Sequence, residues 1–274
     1  ERLVTILVLP LMSCSARLPV YALMIGAFIP HKKVLGLFDA QGLTLVIMYL
    51  MGTVTALVLA KIFSFFIHQK GQSSFIMEMP PYRLPLARSV IRQVILRSKL
   101  FVINAGKIIM AISIVLWFLV SFPKLEKTNE NRNPIHHSYA GKIGHAIEPF
   151  IKPLGFDWKI GIGLITSFAA REVMVSTLAT IYNVEAGGKD IVLLTEALQE
   201  DKDPQTGELL YSPLVALSLM VFFVYAAQCM ATFAIVRNET NTWKWPFFMI
   251  FYMTALAYLA SLCVYQGGQL LGFS

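Results

Sequence analysis

The sequence predicts an all-α fold, a polytopic transmembrane helical bundle with broken helices and two inverted repeats. Three observations predict it. Of 274 residues, 56% are hydrophobic and only 14% charged, where soluble proteins carry about 25%. Several uncharged runs reach the roughly 20 residues that cross a hydrocarbon core. Three of these runs are interrupted at mid-length by polar residues, and paired broken segments in corresponding halves point to a site at a repeat interface.

Residues 1–67 are read as a first, partial repeat. Leu3 to Ile29 is apolar except around Ser13-Cys14-Ser15-Ala16-Arg17. Pro10 and Pro19 bracket this break, and proline removes a backbone donor and clashes with the preceding turn, so two half-helices joined by a bend are expected. Gly42 to Ile67 is a clean span, charged only at Lys61, which can snorkel to the interface. Residues 68–100 form a polar, proline-rich loop and an amphipathic helix from Leu86 to Lys99. Leu86, Val90, Ile91, Val94 and Ile95 share one face of it, with Arg88, Arg92 and Lys99 opposite. Such a helix suits either an anionic lipid surface or packing on the rest of the protein.

Residues 101–182 hold a span from Phe101 to Phe122, a polar loop from Pro123 to Trp158 and a third broken segment from Ile160 to Tyr182. The loop contains a short amphipathic piece at Ile143–Ile151, stopped by Pro149 and Pro153. The third segment is broken at Arg171-Glu172. It either crosses once or re-enters as a hairpin, and the sequence leaves both open. Residues 183–213 read as an acidic loop. Residues 214–274 are the second repeat, with a span broken at Gln228-Cys229 and a last span between Trp243, Trp245 and Tyr265, at aromatic-belt positions.

The net charge of +7 does not call for nucleic acid, because much of it lies in the Lys70–Lys99 stretch, where it sets orientation and lipid contact. That stretch is expected to be cytoplasmic. Glu1-Arg2 runs straight into apolar residues, so no signal peptide is expected and the chain reads as a piece of something longer. Cys14, Cys229 and Cys263 have no zinc-ribbon spacing, and Cys263 reads as packing.

Polar groups at membrane depth are tolerated only against protein or a water-filled cavity. Cys14, Cys229 and Glu172 are the candidate metal ligands, since thiolates and a carboxylate together favour a transition metal over Mg²⁺. Each has a plainer alternative: packing for the thiols, a structural ion pair for Glu172. The candidate pathway and gate residues are Met12, Ser13, Ser15, Arg17, Arg171, Ser176, Thr177, Gln228 and Thr232. Arg17 has no acceptor for a cation, and its expected partner is Glu172. The histidines fall in loops or at segment ends, so Cys14 has no base at its depth and a cysteine-nucleophile enzyme is disfavoured.

Four stretches carry a family resemblance. They are Leu11-Met12-Ser13-Cys14-Ser15-Ala16-Arg17-Leu18-Pro19-Val20-Tyr21, Met77-Glu78-Met79-Pro80-Pro81-Tyr82-Arg83-Leu84-Pro85, Phe168-Ala169-Ala170-Arg171-Glu172-Val173 through Leu178, and Cys229-Met230-Ala231-Thr232. In order and content the chain resembles the membrane domain of the bacterial ferrous iron transporter B family. The resemblance implies Fe²⁺ as the substrate carried across the bacterial inner membrane, two gate-like repeats, and Cys14 and Cys229 as metal-path thiols. It implies an N-terminal GTP-binding domain of the same polypeptide, through which alone GTP and Mg²⁺ would enter. No G-x-x-x-x-G-K-[ST] occurs in this chain, so the chain itself is expected not to be an enzyme. Lipid, a small accessory cytoplasmic protein and further copies of the chain are the other expected partners. One departure is Gln228, where members often carry proline, and a milder bend is expected there. Another divalent metal or a nucleoside is the alternative cargo.

Overall fold

The computed structural model describes residues 2–12, 14–30, 33–34, 38–66, 86–121, 138–168, 171–182, 190–202, 209–227 and 230–272. They are helical throughout apart from connections and one small antiparallel ribbon.

The first broken segment is α1 (Arg2–Val8), a 3-10 turn at Leu9–Leu11, a second at Ser15–Arg17 and α2 (Leu18–Phe28). Pro10 sits inside the first 3-10 turn and Pro19 in the first turn of α2, where a missing N–H costs nothing. A ribbon of β1 (Lys33–Val34) and β2 (Phe38–Asp39), pairing Lys33 with Asp39, leads into α3 (Ala40–Phe66). Then come α4 (Ala87–Ser121), α5 (Tyr139–Ile151), α6 (Trp158–Ser167), α7 (Val173–Ile181), α8 (Asp190–Glu200), α9 (Pro213–Tyr225), α10 (Met230–Thr240) and α11 (Lys244–Leu270).

Among the described residues, three stretches are long and apolar enough to cross a membrane: Leu3–Phe28, Ala40–Phe66 and Lys244–Leu270. At 27 residues each, α3 and α11 run about 40 Å, more than the ~30 Å core. Val46, Ile47, Leu50, Val54, Leu57 and Val58 of α3 are exposed. An outer face this apolar suits lipid and not water.

The two broken segments run antiparallel. The first half, α1, packs against α10, while α2 packs against α9. Each is followed by a 27-residue helix that turns back alongside it. Within the second unit, α9 and α11 lock through a buried Ser218–Ser261 hydroxyl pair at 2.7 Å, and Ser218 also donates to the Leu154 carbonyl. Between units, the Tyr252 hydroxyl donates to the Leu7 carbonyl, and Thr55 meets Tyr225 at 3.0 Å.

The third broken segment folds back on itself. Lys159 at the start of α6 donates to the Tyr182 hydroxyl just past α7, so the two ends lie together. The arms have 10 and 9 residues, or about 15 Å each, half the depth of a bilayer. Close packing needs small residues, and a Cβ on Gly163 would come within 3.3 Å of Met174. The segment is thus a helical hairpin and not one continuous helix.

Four further readings change. Leu86–Lys99 and Phe101–Phe122 are not separate, because Ala87–Ser121 is one 35-residue helix, and nothing at the junction breaks it. The acidic 183–213 stretch contains α8, whose Leu194 and Leu198 are buried and whose Gln199 donates to the Ala27 carbonyl of α2. Pro149 lies inside α5 and does not stop it. The chain turns only after the second proline, at Gly155 with φ +82°, where a Cβ would collide with the Tyr265 ring. Cys263 is exposed and not packed.

Candidate functional site

All three breaks meet at one level of the bundle. In the first, Met12 and Cys14 are extended, with φ/ψ of −63°/135° and −113°/161°. A helix that ends inside a protein leaves its last carbonyls without partners. Arg17 supplies donors, its guanidinium reaching the carbonyls of Leu11 at 3.3 Å and Pro10 at 3.2 Å. It is fully buried. Cys14 is a free, exposed thiol, and Met12 and Ser15 beside it are exposed too. The expected Arg17–Glu172 pair is not formed, since Arg17 turns back on its own segment and Glu172 is exposed.

In the second unit, α9 stops at Tyr225 and Ala226 is extended at φ −62°, ψ 139°. The chain therefore leaves the helix before Gln228, and the break is not mild. Its cause is not proline but a partner from elsewhere, for Arg171 donates to the Ala226 carbonyl at 2.9 Å. Gln228, Cys229 and Ser13 lie outside the described residues.

Arg171 stands at the tip of the α6–α7 hairpin, 5% exposed. The tip has a second anchor, the stacking of Phe168 on Phe233 of α10 at 5.6 Å between ring centres. Thr177 is occupied in holding the arms together. Its hydroxyl pairs with that of Thr166 at 2.8 Å and donates to the Val173 carbonyl. Ser176 and Glu172 are exposed.

Pro10, Arg171, Ala227, Thr232, Phe233, Met249 and Met253 line a cavity of about 10 Å³ between the breaks. That is about the minimum for one water. Arg17 lies within electrostatic range of both Arg171 and Cys14. Of the predicted residues, the fold brings Arg171 and Thr232 to the cavity and places Arg17 and Cys14 beside it. It holds Ser176 and Glu172 at the surface. Among the described residues, no three histidine, cysteine, aspartate or glutamate side chains cluster as a metal site.

The sequence reading missed the polar cluster at the open end of the hairpin. Asp157 caps α6 by accepting from the Ile160 N–H at 2.9 Å, and accepts from the Tyr211 hydroxyl at 3.1 Å. Asp201 accepts from Lys159 and from Tyr182, and Lys159 lies 4.7 Å from the Tyr182 ring centre. Burial pushes Asp157 up to about 6, against the opposing pull of the Ile160 N–H and Lys159. Burial also pushes the Tyr211 hydroxyl up. The signal available in sequence was an aspartate directly before an apolar helical run, a helix-start mark. Its partners are up to 54 residues away, beyond the reach of a local pattern.

The comparisons with known proteins agree with this architecture. The family model described as Gate, nucleoside recognition, matches residues 102–243, just over half of the chain. The model described as ferrous iron transport protein B C terminus matches residues 45–97. The chain is 45% identical over its whole length to the Fe(2+) transporter FeoB of Leptospira biflexa, covering 40% of that protein. It is 34% identical to the Fe(2+) transporter FeoB of Staphylococcus aureus, with 98% of this chain and 37% of the relative covered. A Porphyromonas gingivalis relative, 37% identical with 98% and 35% covered, is named as an Fe(2+) transport protein A/Fe(2+) transporter FeoB fusion protein. The chain thus spans about two fifths of the length of the curated relatives it matches. No solved structure matches it. With its hairpin and second broken segment inside a match that takes in over half of its length, the chain belongs to the family described as Gate, nucleoside recognition, and it is similar to the C-terminal part of Fe(2+) transporter FeoB proteins.

Proposed function

We propose that this chain is the membrane pathway of a ferrous iron transporter of the bacterial inner membrane. Fe²⁺ would pass between two inverted repeats, meeting Cys14, Cys229 and Glu172. The observation that carries this reading is the antiparallel packing of two broken segments whose breaks face one cavity together with the hairpin tip. Discontinuous helices at a repeat interface are how transporters expose backbone oxygen to an ion at mid-depth. Thiols beside that oxygen favour a borderline metal over Mg²⁺. Met12, Ser13, Ser15, Gln228 and Thr232 would line the path. With the basic 68–100 stretch cytoplasmic, the open end of the hairpin faces outward.

Regulation would come from a GTP-binding domain in the part of the polypeptide beyond this chain, which would also bring Mg²⁺. A small accessory protein is supported by the relative in which a transport protein A is fused to the transporter. The test is Fe²⁺ uptake by the full-length parent in cells without other ferrous uptake. Cys14→Ser, Cys229→Ser and Glu172→Gln are each expected to reduce uptake at least fivefold at unchanged membrane expression. Unchanged uptake in both cysteine variants would return the thiols to packing.

A nucleoside cargo has one observation behind it, the description of the Gate family model. Against it, Phe233 is the single aromatic among the residues lining the cavity, and stacking of a base wants more. Uptake of radiolabelled uridine by the same cells separates the two.

A further inference from the structure

We infer that Arg171 is a tethered cation that closes the path: its guanidinium occupies the carbonyl oxygen at the second break that the transported ion would otherwise meet. This rests on the transport reading above and adds a closing element to it. The break leaves the Ala226 carbonyl in a buried setting, with Ala226 and Ala227 2% and 6% exposed. Such an oxygen is a strong acceptor and requires a partner. Its partner is a permanent positive charge at 2.9 Å.

A guanidinium has five donors and no acceptor. It can satisfy the carbonyl as a metal ion would, yet offers a metal ion nothing. In a low-dielectric interior it also repels a divalent cation strongly. The cavity beside it, at about 10 Å³, has room for one water and not for an ion with its ligands.

The placement of Arg171 makes it removable. Arg17 binds carbonyls of its own segment, six and seven residues back, and cannot leave without undoing that break. Arg171 reaches its carbonyl across 55 residues of sequence, from the tip of a hairpin whose arms are tied to each other by the Thr166–Thr177 pair. With its open end held by the Lys159–Asp201 and Tyr211–Asp157 bonds, the hairpin would swing about that end and carry the guanidinium away. At the tip, opening breaks at least the Arg171 bond and the Phe168–Phe233 stack.

The test uses the full-length parent in proteoliposomes with a trapped metal-quenched dye, without nucleotide. Entry of Fe²⁺ under anaerobic conditions and of Mn²⁺ is measured for wild type, Arg171→Gln and Arg171→Lys. Arg171→Gln is expected to raise nucleotide-free entry of both metals at least tenfold, while Arg171→Lys, which keeps the charge, stays within about twofold of wild type. An Arg171→Gln protein as tight as wild type, or a lysine variant that leaks as much, overturns the inference. Should Arg171→Gln elute as aggregate, Thr232→Asp decides. This carboxylate, one heavy atom larger than threonine and in the same cavity, competes with the carbonyl for the guanidinium, and tenfold entry is expected; wild-type tightness in that folded variant overturns the inference. Wild-type protein that carries no Fe²⁺ with GTP would instead sink the transport reading itself, so the two failures are distinguishable.

Discussion

Arg17 and Arg171 are both buried guanidiniums at breaks, and both spend themselves on backbone carbonyls. Arg17 serves Pro10 and Leu11, in its own segment. Arg171 serves Ala226, in another unit. The first therefore makes a break possible, and the second makes one break depend on where the hairpin sits. A proline-marked break with its own arginine is self-contained. A break without proline, as at Ala226, is met by a side chain from another unit, which is why the proposed closure acts there.

That contrast is exposed first by Arg17→Met. It strips one buried and one half-buried carbonyl of donors, at up to about 1–3 kcal/mol each, and is expected to abolish the folded monodisperse peak of the full-length parent in detergent. A variant that melts like wild type would break the comparison, since exchanging a buried charge for a hydrophobe is sometimes neutral. Arg171→Gln loses the charge-assisted bond to Ala226, about 1.5–3 kcal/mol, and is expected to stay folded with a lowered melting temperature. Equal losses at the two arginines would erase the distinction between local and long-range roles.

The open end of the hairpin gives the third prediction, in pH. Asp157 is raised from 3.8 to about 6. The folded state therefore holds its proton more tightly than the unfolded one, and that stabilisation is complete below about pH 4 and lost as pH rises through about 6. The loss is on the order of 2 kcal/mol, less than the full shift implies because Asp157 is only partly buried. Asp157→Asn keeps the cap and is expected to flatten melting temperature against pH across pH 4–6; an unaltered slope would place the titrating group elsewhere. The smallest effect belongs to Thr177→Val, which removes one inter-arm hydroxyl bond for about 1 kcal/mol. It is expected to destabilise the hairpin slightly in hydrogen exchange of α6 and α7, leaving α9 and α11 unchanged.

Much of the first unit was legible because its signals are local. Pro10, Pro19 and the polar run between them mark the bend within a dozen residues. The clean runs of α3 and α11 announce themselves by length. The second unit was harder. Gln228 suggested a mild bend, yet the chain departs at Ala226 because a side chain 55 residues earlier in sequence is there to receive the carbonyl. Helix α8 was hidden in acidic composition, although Leu194 and Leu198 share a face one turn apart and are buried. Among the candidate site residues, Cys14 and Arg17 lie at the first break, where their polar character within an apolar run had drawn attention to them. The partner of Arg17 was misjudged, because matching charges by depth ignores the carbonyls a break leaves behind.

By itself the sequence determined the class of molecule, the number of breaks and the residue types at them, since apolar length, proline and buried charge act through their immediate surroundings. Only the tertiary structure decided that the Arg171-Glu172 segment turns back as a hairpin, that the two broken segments run antiparallel, and that Arg171 ends on Ala226. Each of these depends on which backbone groups remain unsatisfied once helices pack, and that is a property of the assembled bundle and of no single segment.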